Sequence, residues 1–71
     1  MSDFARRLEM LTELAAARAN LVEAGALSLH DAVDGLQLLA EQWGLVDAIG
    51  QDEVQRLIAA PFRLLELQEA A

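Results

Sequence analysis

His30 is the one imidazole in the chain, and Asp31 and Asp34 stand close to it in sequence. On a helix, residues four apart share a face, so His30 and Asp34 can meet there. Such a pair can orient a general base or supply part of a metal site. A closed site needs more ligands, and the chain has no cysteine and no second histidine. His30 therefore reads as a solvated first-turn residue. Asp52 and Glu53 are adjacent carboxylates, but they suit the first turn of a helix, where the backbone dipole favours acids. The hydroxyls are Ser2, Thr12 and Ser28. Ser2 and Ser28 read as helix caps, and none of the three stands beside a base. There is no glycine-rich phosphate loop, and Arg6 with Arg7 is too small a cluster for a nucleic-acid patch. The expectation is a protein that is not an enzyme, with no catalytic residue, no metal and no cofactor.

What remains is a candidate contact surface. Asp31, Asp34, Leu38 and Glu41 follow spacings of three, four and three, which puts them on one helix face. A leucine ringed by carboxylates suits a basic partner surface with an apolar dimple: the acids steer and the leucine holds. The competing reading is an ordinary solvated face with one exposed leucine, which is common.

That face needs a helix to carry it. Residues 29–43 supply one, with Leu29, Ala32, Val33, Leu36, Leu39, Ala40 and Trp43 on the opposite, core-facing side. Gly35 lies toward the edge of this stripe, where close packing against the first helix would account for it. A first helix is expected over 3–24, capped by Ser2 or Asp3 and built from good helix formers. Its stripe is Phe4, Leu8, Leu11, Ala15 and Val22, widened by Leu14 and Leu21. Arg7 and Arg18 project within that apolar arc. Either their stems cover apolar surface while the heads reach water, or they pair with carboxylates of another helix or a second subunit. Gly25 can take the left-handed conformation that ends a helix, and Ser28 with Asp31 three positions on can cap the next. So short a connection makes the two helices antiparallel neighbours.

Leu45–Ile49, between Gly44 and Gly50, reads as one helical turn plugging the bundle end. Asp52 with Gln55 matches a cap for a third helix over 53–60. Pro61 then breaks the pattern. A fourth helix over 61–69, with proline as its first residue, is preferred here to one kinked helix. Phe62, Leu64, Leu65 and Leu67 point almost all round the axis. Phe62, Leu64 and Leu67 are accordingly the expected self-association contacts.

The 71 residues make one domain, and 55% are hydrophobic, more than a typical soluble domain carries. A small globule has little interior, so part of that apolar surface should meet a partner, a homodimer being the simplest case. No run is long enough to span a membrane, the amino terminus lacks an apolar signal core, and a cytoplasmic location is expected. Net charge is −7. Residues 25–50 carry four acids and no arginine or lysine, which repels phosphate backbones. Ala40-x-x-x-Gly44-Leu45 is similar to the centre of the helix-turn-helix motif. That resemblance implies a recognition helix after a turn of three or four residues. Here the next periodic helix starts only near Asp52 and offers Arg56 against Asp52 and Glu53, so direct nucleic-acid binding is not expected.

The sequence thus describes an all-α protein, a small antiparallel bundle of three to four helices built on a long amino-terminal hairpin. Its expected role is to dock on or occlude a protein partner, with a basic surface as the suitable match. Two alternatives are a DNA-mimic inhibitor of a nucleic-acid-binding protein, of the kind used by phage or mobile elements against host defence, and an obligate subunit of a larger assembly.

Overall fold

The structure, a computed structural model, describes the backbone of residues 3–70 and the side chains of residues 3–63. It contains four helices, α1 (Asp3–Glu23), α2 (Leu29–Gln42), α3 (Leu45–Ile49) and α4 (Gln51–Ala70), and no strand among the described residues. The three long helices α1, α2 and α4 pack against one another, and α3 closes one end. The molecule is elongated, 38 × 21 × 20 Å. Its radius of gyration is 12.3 Å, above the roughly 11 Å of a rounder chain of this length.

The hairpin forms as the local chemistry dictates. Gly25 adopts φ +79°. Its N–H donates to the Val22 carbonyl at 3.0 Å, and the Ala26 N–H reaches back to Leu21 at 2.9 Å. Two carbonyls orphaned at the end of α1 are satisfied by this pair of bonds. The Ser28 Oγ then accepts the Asp31 N–H at 3.1 Å, capping α2. Ser2 lies outside the described residues, and Asp3 is a first-turn acid of α1.

Among the described residues the core is ten: Leu11, Ala15 and Ala19 from α1; Ala32, Leu36 and Ala40 from α2; Leu45 from α3; Val54, Ile58 and Phe62 from α4. Four of them are alanines, which lets α1 and α2 approach closely but buries little area per residue. The stripes expected from the sequence are broader than the buried ones. Phe4, Leu21 and Leu29 are 38%, 40% and 49% exposed. Val33, Leu39 and Trp43 are half-buried.

Three further expectations change. The helix does not break at Pro61; α4 runs through it. The ring costs one backbone bond, yet Val54, Ile58 and Phe62 fall at four-residue spacing and keep one buried face across the proline. Burial of Phe62 holds the helix together. Asp52 does not cap α4, because the helix already starts at Gln51 and the Gly50 carbonyl accepts the Val54 N–H at 3.2 Å. Close packing does not explain Gly35 either: a methyl group added there would meet nothing within 4 Å. The plug, by contrast, forms as expected, with Leu45 fully buried.

Candidate docking surface

The four residues of the acidic face sit together on the outer side of α2. Ala32, Leu36 and Ala40 take the buried side of that helix, which turns Asp31, Asp34, Leu38 and Glu41 outward. All four are exposed, and Leu38, at 54%, is the most exposed large apolar residue among those described. An apolar side chain half held out by its own helix between carboxylates keeps the burial free energy of its exposed half for a contact elsewhere.

His30 and Asp34 do meet, Nε2 to Oδ2, at 3.0 Å. Both side chains remain open to water, 84% and 67% exposed, so the pair contributes at most a few tenths to about 1 kcal/mol. The contact sets the Asp34 carboxylate toward one edge of the face. Gln37 does the same at the other edge. Its Nε2 donates to Glu41 Oε1 at 3.3 Å and to Gln51 Oε1 at 2.8 Å. The second bond ties α2 to the start of α4.

Beside this face, between α2 and α4, runs a groove of about 480 Å³. Leu29, Val33, Ile58 and Phe62 give it an apolar lining. Asp34 stands on the α2 rim and Arg63 on the α4 rim, so the groove offers one charge of each sign. Asp34 belongs to both features and makes them one continuous surface. The groove was not legible in the sequence, because it exists only once α4 lies against α2. Leu29 was the available signal: it opens the apolar pattern of α2 yet stands at the helix start, where the core has already tapered.

The remaining sequence candidates have structural work. The Thr12 hydroxyl donates to the Leu8 carbonyl at 2.9 Å, and Ser28 is occupied as a cap. Glu53 pairs with Arg56 at 3.3 Å within the first turns of α4. Arg7 donates from Nη1 to the Trp43 carbonyl at 3.3 Å. That places a cation at the carboxyl-terminal end of α2, where the helix dipole favours one. Of the expected self-association contacts, Phe62 is 6% exposed and part of this chain's own core, so it presents only the small edge that lines the groove. The side chains of Leu64 and Leu67 lie outside the described residues. Among the described residues no three histidine or acidic side chains gather as metal ligands, and no helix is long and apolar enough to cross a membrane. No family model matches this chain, and no curated protein or solved structure is similar to it.

Proposed function

We propose that this protein is a non-catalytic binding module that docks a protein partner on the outer face of α2 and the adjoining α2–α4 groove. The observation that carries the reading is Leu38, half open to water at the centre of Asp31, Asp34 and Glu41. The charge of the middle third selects the partner: a surface with basic residues set around an apolar side chain. Carboxylates on the rim raise the encounter rate, and burial of Leu38 slows release. The groove accepts a second apolar side chain alongside. The partner is occluded or held, without turnover.

The test compares affinity capture by the native chain and by Leu38→Glu, with captured proteins identified by mass spectrometry. Leu38 contributes nothing to the core, so the variant keeps its helical content and melting temperature. The expected result is a basic partner retained by the native chain, released as salt rises, and lost with the variant. A captured set that is the same for both chains would falsify the assignment of this face.

A further inference from the structure

The buried stripe of α1, Leu11–Ala15–Ala19, is not its only apolar stripe. Met10, Leu14, Ala17 and Leu21 follow spacings of four, three and four, the repeat of a coiled-coil seam. The seam lies about 130° around the helix from the buried stripe. Met10 and Leu21 are 44% and 40% exposed, Ala17 is exposed, and Leu14 is half-buried, packed on one side against this chain's own core with its other side facing the seam.

The flanks say what covers it. Glu13 precedes Leu14 on one side of the seam, and Arg18 follows Ala17 on the other. Arg18 is half-buried, and its helical neighbours three and four residues away are Leu14, Ala15, Leu21 and Val22, all apolar. Among the described residues neither Glu13 nor Arg18 forms an ion pair. Five residues apart on one helix, they diverge and cannot reach each other. Across a parallel, in-register pair of helices, that same five-residue offset brings each glutamate beside the arginine of the other chain. One residue pair then makes two symmetric ion pairs, as a two-fold interface requires.

We infer that the outer face of α1 is a self-association surface, on which a second copy of this chain packs its own α1 in parallel through Met10, Leu14, Ala17 and Leu21, with Glu13 facing Arg18 across the seam. This rests on α1 alone and does not depend on the docking role of α2. The seam spans about 18 Å of helix, a small contact, so the dimer belongs to the weak class that forms at micromolar concentration and above.

Sedimentation equilibrium from about 10 μM to about 0.5 mM, a range suited to a weak interface, reads the dimer as a species of twice the 7.7 kDa chain. Ala17→Glu sets two carboxylates against each other in the seam and is expected to raise the dissociation constant at least about tenfold. Glu13→Arg and Arg18→Glu each create like-charge contacts and are expected to raise it about fivefold, while the double exchange restores it. Circular dichroism checks that each variant keeps its helices. Direction is read with Met10→Cys, the chain having no native cysteine. In a parallel pair the two thiols meet and oxidise to a covalent dimer, whereas an antiparallel pair sets residue 10 against residue 21 and yields none. A monomer throughout the concentration range, a dimer indifferent to Ala17→Glu, single exchanges without rescue, or failure of the cysteine cross-link would each overturn the proposal.

Discussion

Gly35 is an exposed glycine inside α2 with open space where a side chain would be. It has ordinary helical backbone, since the positive-φ glycines are Gly25, Gly44 and Gly50. Glycine there costs helix stability and returns no packing. Gly35→Ala is therefore expected to stabilise the fold by about 0.5–1 kcal/mol, mainly by narrowing the unfolded ensemble. Urea titration followed by circular dichroism measures it. A neutral or destabilising result would mean that the backbone at residue 35 does not hold ordinary helical geometry in solution. Single residues also divide sharply by exposure. Leu36 and Leu38 are two positions apart, yet one is buried at 1% and the other is 54% exposed. Removing the first opens a cavity costing about 2–5 kcal/mol, whereas removing the second is expected to change stability by less than about 0.5 kcal/mol.

At the scale of elements, the hairpin turn and the proline show two ways in which local preference and packing interact. Gly25 sits at φ +79°, which disfavours any residue with a Cβ. Gly25→Ala is expected to destabilise by about 1–2 kcal/mol, read as a lower melting temperature with unchanged helical content below the transition. The space around it is open, so a loss of that size would come from backbone strain and not from a clash. Here the local signal and the structure agree. At Pro61 they disagree. The residue type argues for a boundary, but Phe62 on the far side is buried in the core, and the roughly 3 kcal/mol that an interior proline costs is offset by a buried ring whose loss costs about 3–5 kcal/mol. Arg7 belongs to this scale too. The sequence allowed it to be a snorkelling stem or an ion-pair partner, and it is instead a donor to the last carbonyl region of α2, a role visible only when the helix ends are brought together.

For the whole molecule, the limiting quantity is core size. Among the described residues only ten are buried, four of them alanines, in a chain of 71, and a domain this short has little reserve. Phe62 is the one aromatic among them. Ending the chain after Ala60 removes it and is expected to cost about 3–5 kcal/mol, most or all of the stability, so that thermal unfolding loses its cooperative transition. Ending it after Arg63 keeps every buried residue described here. A sharp melt in the chain ending at Ala60 would show that the three-helix core does not need α4 beyond its proline. The same scarcity of interior explains why apolar side chains remain on the outside of α1 and α2: a rod 20 Å across cannot enclose them all.

The amino-acid sequence by itself determined α1, α2 and the α3 turn, their order, the glycine stops, the Ser28 cap and the outward set Asp31, Asp34, Leu38 and Glu41. These follow from periodicity and from hydrogen bonds that close within a few residues. Tertiary structure alone decided how far each stripe is buried, that α4 continues through Pro61, that Phe62 faces inward, and that a groove opens between α2 and α4. Those outcomes depend on which helices touch and at what angle around their axes, and that is settled by the competition of all the apolar faces for one small interior.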